Sequence, residues 1–391
     1  MAHIAWLGKK SPFCGNVTYG LSTTEALRQR GHQTSFIHFD NPGSPGSSNT
    51  SLLANDPDVS LPYLVKSQVY TIPSPRAQRE LRESLERLQP DLVHASLTLS
   101  PLDFRLPDLC QQLGVPLVAT FHPAFDAGLR NLTAGTQQLT YQLYAPSLAR
   151  YDRVIVFSDL QAEVLARLGV REERLAVIPN GVDPDCWHPA DMTLSTIGST
   201  LRSVRARIGD QRIFLYMGRV ATEKNVEALL RAWRLVKPEG CRLVIVGDGP
   251  LHATLQNSYG SDDVLWWGYE ADLATRVALL QSAEVFVLPS LVEGLSLALL
   301  EAMASGCACI ATDAGADGEV LAGGAGIVLS TQGVTTQLRT LLPVLRDQPV
   351  LTLQLGRQAR ERVIERYTMT CNIDALERLY ADVMRHEPMA A

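Results

Sequence analysis

Ile213-Phe-Leu-Tyr-Met-Gly-Arg-Val-Ala-Thr-Glu-Lys-Asn225 reads as a strand that ends at a glycine, followed by a loop that leads into a helix. Five successive apolar residues suit a strand buried on both faces, and Gly218 lets the chain turn at its end. The pattern recurs downstream at Cys241-Arg-Leu-Val-Ile-Val246, Val264-Leu-Trp-Trp267, Val285-Phe-Val-Leu288 and Ala308-Cys-Ile-Ala311, with helical periodicity between. It also recurs upstream. His3-Ile-Ala-Trp-Leu7 ends in Gly8, a helical stretch runs to Leu27 and stops at Gly31, and Thr34-Ser-Phe-Ile-His-Phe39 is the next strand. Further strands are expected at 91–95, 116–120, 153–157 and 174–178. Short apolar strands alternating with helices predict an α/β fold with parallel sheets covered on both faces, here built twice. Residues 184–200 lack periodicity and are expected to link domains at 1–190 and 191–369, and residues 41–60, rich in Asn, Pro, Gly and Ser, are expected to be a surface loop.

Length agrees, because 391 residues exceed one ordinary core and favour two domains of roughly 200. A chain that is 46% hydrophobic and 19% charged is a globular protein and not a disordered one. The net charge of -6 argues against a nucleic-acid partner, which would demand clustered Lys and Arg. The first 175 residues carry 16 charges of each sign, so the whole deficit lies in the C-terminal half. Seven scattered cysteines without Cys-x-x-Cys spacing fit neither a disulfide framework nor a zinc site, and a cytoplasmic location is expected. No run reaches the roughly 18 apolar residues of a membrane span, so any membrane contact is expected to be peripheral.

In doubly wound sheets ligands bind outside the carboxyl ends of the strands, which directs attention to the loops there. Arg219 and Lys224 flank a helix start, where free amides, a guanidinium fork and a point charge suit a diphosphate. The same loop also reads as an ordinary solvated connection. Val246-Gly247-Asp-Gly-Pro250 and Trp267-Gly268-Tyr269 follow the next two strands, as sites of close backbone approach or as structural turns and aromatic packing. The most informative segment is Pro289-Ser-Leu-Val-Glu293-Gly-Leu-Ser-Leu-Ala-Leu-Leu-Glu301. Ionised carboxylates only accept hydrogen bonds and suit sugar hydroxyls, so Glu301 on the helix is a candidate for the ribose. The loop amides and Ser296 are left for phosphate.

These elements resemble retaining nucleotide-sugar glycosyltransferases of the GT-B fold, glycosyltransferase family 4. The match covers nearly the whole chain: Pro179-Asn-Gly-Val-Asp183, Gly218-Arg219 with Glu223-Lys224-Asn225, Val246 to Pro250, the Glu293/Glu301 spacing and the stretch Thr312 to Val320. The resemblance implies two Rossmann-like domains facing a central cleft, the first binding acceptor and the second the donor, with a C-terminal helix over 370–391 crossing back to the first. It implies that Arg219 and Lys224 hold the diphosphate, Glu301 the ribose and Glu293 the transferred sugar. Leu295, Ser296 and Leu297, beside Gly294, would meet the phosphates through amides and a hydroxyl. His122 resembles the family's reaction-centre histidine and also reads as a histidine satisfied locally. Gly15 would admit donor phosphate or acceptor. Three positions depart from the pattern: Asn16 follows Gly15, Pro123 replaces the acidic residue after the histidine, and Ala316 stands where a paired glycine is common. The resemblance implies no cofactor and no metal, the nucleotide sugar being a co-substrate.

The acceptor is expected to be selected by Pro12, Phe13, Tyr19, Leu97, Leu99, Leu102, Phe104, Phe125 and Leu129. Helix 76–89 alternates Arg with Leu and Glu, which suits an anionic bilayer or an ordinary amphipathic surface. The run from Ile4 to Tyr19 is similar to cyanobacterial members of the family thought to make digalactosyl diacylglycerol from UDP-galactose, which makes a membrane glycolipid the leading acceptor. Competing readings are transfer to a soluble saccharide or small metabolite, a nucleotide-sugar 2-epimerase, and a silent nucleotide-sugar-binding scaffold. A dinucleotide oxidoreductase is disfavoured because the first loop lacks Gly-x-Gly-x-x-Gly.

Overall fold

The computed structural model describes residues 1–11, 15–40, 58–67, 70–97, 99–123, 134–190 and 198–385. The chain forms two units, one from Met1–Pro123, Thr136–Pro179 and Met369–Ala391, the other built on Asn180–Thr368. The first sheet runs in the order Val59–Leu61, Gln33–Phe39, His3–Gly8, Leu92–Ser96, Leu117–Thr120, Arg153–Val156, Leu175–Val177. The second runs Val264–Gly268, Cys241–Val246, Arg212–Met217, Val285–Leu288, Ala308–Thr312, Ile327–Leu329. Every neighbouring pair in both is parallel. In each, the winding direction reverses between two central strands: His3–Gly8 and Leu92–Ser96 in the first, Arg212–Met217 and Val285–Leu288 in the second. Loops leaving the carboxyl ends of such a pair diverge and leave room for a ligand.

Burial follows from the crossovers, which lay helices on both faces of a parallel sheet. Ile4, Ala5 and Trp6 are fully buried, as are Phe214, Leu215 and Tyr216. From the helix Val226–Val236, Trp233 packs edge-on against Phe214 at 5.3 Å and donates its Nε1 proton to Asp263 Oδ2 at 2.9 Å. Burying each large apolar side chain of this kind contributes roughly 1.5–3 kcal/mol.

Three features were not anticipated: the edge strands Val59–Leu61 and Ile327–Leu329, and the antiparallel pair Tyr63–Lys66 with Thr71–Pro73. All are three or four residues long, too short for an alternation to register. Part of the expected loop at 41–60 is therefore a strand, and residues 41–57 lie outside those described. The division between units falls after Pro179 and not near residue 190, because Asn180 to Val182 are tied to the second unit. Asn180 Nδ2 donates to the Leu295 carbonyl at 3.0 Å, and the Val182 amide to Tyr367 O at 2.9 Å.

The last helix, Met369–Arg385, belongs to the first unit. Its Ile373, Leu376, Tyr380 and Val383 share a core with Ile4, Trp6, Tyr19 and Leu27. The Tyr380 hydroxyl bonds His94 Nδ1 at 2.5 Å, and the His94 ring stacks on Trp6 with centroids 4.0 Å apart. Burial, and next to it the neighbouring His122, hold the His94 pKa down to about 3, so this imidazole is neutral.

Candidate active site

In the second unit, the loops leaving Arg212–Met217 and Val285–Leu288 are tied together. The Leu291 amide donates to Glu223 O at 2.8 Å and Asn225 Nδ2 donates to Pro289 O at 3.2 Å. Asn225 turns the chain at φ +52°, a left-handed conformation that asparagine tolerates better than most residues. Across this tie Lys224 Nζ meets Glu293 Oε1 at 2.6 Å, and Ser290 Oγ donates to the same oxygen at 2.7 Å. Glu293 is only 8% exposed, so its charge is held by a cation and a hydroxyl more than by water.

Two glycines let backbones meet here. Gly247 has φ +130°, and a Cβ on it would lie 1.9 Å from the Gly218 carbonyl oxygen. Gly315 has φ +59°, and a Cβ there would lie 2.2 Å from Glu293 O, while its neighbour Ala316 donates its amide to Gly294 O at 2.7 Å. No side chain fits either place.

The helix Leu297–Ala304 is capped by Ser296, whose Oγ accepts from the Leu299 amide at 3.3 Å. The Ser296 amide donates to Asp317 Oδ1 at 2.9 Å. Asp317 is fully buried, and its Oδ2 has no partner among the described residues. Burial, reinforced by the charge of Glu293, pushes this carboxyl well above the usual carboxylate range. Glu301 is 6% exposed and accepts from Arg276 Nη2 at 2.7 Å. Burial raises its pKa, and Arg276 opposes the shift by charge and hydrogen bond. The Arg276 guanidinium lies 5.2 Å from the centroid of the Trp187 ring.

Arg219 is half-exposed, 3.5 Å from Glu223, with its carbonyl accepting from the Tyr216 hydroxyl at 2.7 Å. Gly268 has φ +89°, and Tyr269 beyond it is exposed. Trp267 is packed under the Arg207 guanidinium at 3.8 Å and donates Nε1–H to Glu270 at 3.1 Å. Leu295 is buried, and Gly294 and Leu297 complete the loop and the first helical turn. Asp183 Oδ1 accepts the amides of Asp185 and Cys186 at 2.9 and 3.4 Å, closing its own turn.

In the first unit, His122 follows the strand Leu117–Thr120. Its Nε2 lies 2.8 Å from Ser96 Oγ, and the rings of Tyr19 and Phe157 stand 5.0 and 5.3 Å away. Gly15 begins the helix Gly15–Gln29, and among the described residues nothing lies within 4 Å of its Cβ position. Three of the expected acceptor-selecting residues are corrected: Tyr19, Leu97 and Leu102 are buried and not open to a ligand, Tyr19 because it packs with Ile4 and Trp6 in the core and bonds the Thr120 hydroxyl at 3.2 Å. Pro12, Phe13, Phe125 and Leu129 lie outside the described residues. Along Ala77–Leu88, Leu81 and Leu85 are buried while Arg79–Glu83 and Arg82–Glu86 pair at 2.7 and 3.8 Å, the habit of an amphipathic surface helix. Among the described residues no helix is long and apolar enough to cross a membrane.

The structure thus brings together Lys224, Glu293 and Ser296 and places Glu301 one turn on. Sequence reasoning missed Ser290, Arg276 and Asp317, and Ser96 in the first unit. Ser290 lies inside the quoted segment, but the other three are distant in sequence from the residues they hold.

The family model described as Glycosyltransferase Family 4 matches residues 15–186, and that described as Glycosyl transferases group 1 matches 211–347. A galactosyltransferase of Escherichia coli, named for UDP-Gal and alpha-D-GlcNAc-diphosphoundecaprenol, is 25% identical over 78% of each chain. The N-acetyl-alpha-D-glucosaminyl L-malate synthase of Bacillus anthracis is 24% identical over 95% of each. Among solved structures, Anabaena HepE in complex with UDP-glucose superimposes with a TM-score of 0.77 at 17% identity, over 97% of this chain and all of that one, and so shares the fold.

Proposed function

Because the chain belongs to glycosyltransferase family 4, we propose that it is a retaining hexosyltransferase using a nucleoside-diphosphate sugar, with UDP-galactose as donor and a glycolipid such as monogalactosyldiacylglycerol as acceptor. The observation that carries the donor side is the Lys224–Glu293 pair at the strand-order reversal of the second sheet, beside a capped helix start. In this reading the anomeric C–O bond to the diphosphate breaks as the bond to the acceptor oxygen forms. Lys224, Arg219 and the amides of Leu295 and Leu297 stabilise charge on the leaving diphosphate, while the Ser296 amide is taken by Asp317. Glu293 accepts from hydroxyls of the sugar, and Glu301, steadied by Arg276, accepts from the ribose. A leaving phosphate oxygen takes the acceptor's hydroxyl proton on the same face, which gives retention without a covalent intermediate or a metal. His122 enters through its resemblance to a reaction-centre histidine.

The E. coli relative's name, with a UDP-sugar donor and a lipid-linked acceptor, supports this choice. The B. anthracis relative, named for an L-malate product and matching along nearly the whole chain, favours the second reading, transfer to a small soluble acceptor. The test is incubation with labelled UDP- and GDP-sugars against galactolipid vesicles, soluble saccharides and L-malate, with and without EDTA, followed by determination of the linkage. Inverted product refutes retention, and loss of activity in EDTA refutes metal independence. Conversion of donor without acceptor favours the epimerase, and transfer only to soluble acceptors selects the second reading.

A further inference from the structure

Asn16, Ser96 and His122 come from three separate stretches of the first unit, and the hydrogen bonds joining them have a forced direction. A backbone carbonyl has no proton to give, so the Asn16 group 3.3 Å from Leu97 O is the nitrogen Nδ2, and Oδ1 is turned to Ser96. An amide oxygen only accepts. The single hydroxyl proton of Ser96 therefore lies on the 2.8 Å bond to Asn16 Oδ1, leaving Ser96 Oγ only lone pairs to offer His122 Nε2, also at 2.8 Å. The proton on that last bond belongs to the imidazole. We propose that Asn16 and Ser96 are positioning residues that hold His122 as its Nε2–H tautomer, so that Nδ1 is presented as a hydrogen-bond acceptor to a hydroxyl of the sugar or the incoming acceptor. The inference rests on His122 belonging to the reaction centre.

The surroundings favour a neutral ring with one lone pair. Burial, with the charge of Lys9, holds the His122 pKa down to about 3. Ser96 is almost completely buried, so water does not compete for its hydroxyl. Nδ1 has no hydrogen-bond partner among the described residues, while Tyr19 and Phe157 fix the ring from two sides. The opposite tautomer would set Ser96 Oγ and Asn16 Oδ1 2.8 Å apart with no proton between them. The departure at Asn16 from a second loop glycine thereby acquires a role: the side chain is the end of a chain of donors that begins at the imidazole.

The experiment is nitrogen-15 NMR of the full chain labelled on histidine, with His122 assigned by the signals that vanish in His122→Ala, alongside kinetics on the donor that supports transfer. The wild type is expected to show a pyrrole-type Nε2 and a pyridine-type Nδ1. Asn16→Ala frees the Ser96 hydroxyl to donate to Nε2, so the tautomer ratio should move toward Nδ1–H by about tenfold, with kcat falling by a similar factor and donor KM little changed. Ser96→Ala should give a mixture of tautomers, and Ser96→Thr should restore the wild-type pattern. A pyridine-type Nε2 in the wild type overturns the inference, as does an Asn16→Ala protein whose tautomer shifts while kcat does not. A wild-type chain that transfers no sugar but shows the expected tautomer refutes the functional reading and leaves the hydrogen-bond direction standing.

Discussion

Lys224→Ala separates the catalytic from the structural use of one cation. In the proposed transition state a full charge develops on the diphosphate, and a unit charge about 4 Å away at an effective dielectric near 20 contributes roughly 4 kcal/mol. Removal of one preorganised donor elsewhere costs roughly 3–4 kcal/mol, so two independent estimates agree. The expected fall in kcat is roughly 100- to 1,000-fold. The stability cost is far smaller. The Lys224 side chain is 22% exposed, and Ser290 Oγ still donates to Glu293 at 2.7 Å when the lysine is gone, so the loss is about 1–2 kcal/mol, a few degrees in Tm. Steady-state kinetics should be run beside thermal melts, with Lys224→Arg as the charge-retaining control. A Lys224→Ala enzyme with kcat within about threefold of wild type and unchanged donor KM would refute the diphosphate assignment. So would a fall in activity that merely tracks the unfolded fraction.

Arg276→Ala leaves Glu301 buried without its cation, and a loss of about 2–3 kcal/mol at neutral pH is expected in urea unfolding, together with weaker UDP binding by calorimetry; wild-type values for both would show that Glu301 is positioned without Arg276. Asp317 has a folded-state pKa above its unfolded value, so the stability it contributes is present below the unfolded carboxylate pKa and is lost as pH rises toward the folded one. Asp317→Asn abolishes that titration, and its stability relative to wild type should increase from about pH 4 upward; parallel urea-melt profiles across pH would contradict the buried-acid assignment.

Both sheets were legible because each long strand is an almost unbroken apolar run, as a two-sided cover of helices demands. The loops of the candidate site were legible for a related reason. Gly218 and Gly247 follow such runs directly and Glu293 lies in the loop after another, and carboxyl ends of parallel strands are where ligand groups gather. Local pattern could not reveal partners held across the fold. Arg276 stands 25 residues from Glu301 and Asp317 stands 21 from Ser296, and nothing in their own neighbourhoods marks them. The same blindness misassigned Tyr19, Leu97 and Leu102, whose apolar character signals a core as readily as a ligand-binding wall. The unit boundary was misplaced because the hydrogen bonds of Asn180 and Val182 leave no compositional trace.

Tyr380 reaches His94 across a sequence separation of 286 residues, and this bears on synthesis. A nascent chain that has released residues 1–179 has every strand of the first sheet but lacks the helix that covers Trp6 and Leu27. At roughly 5–20 residues per second, translating the whole second unit occupies about 10–40 s, during which that apolar surface stays uncovered. The stretch Asn180–Thr368, on which the second unit is built, is continuous and can close as soon as it emerges. Folding on the ribosome is therefore expected to run out of sequence order, the unit made last maturing first, with a trigger-factor type of holdase most needed by the half that was made first.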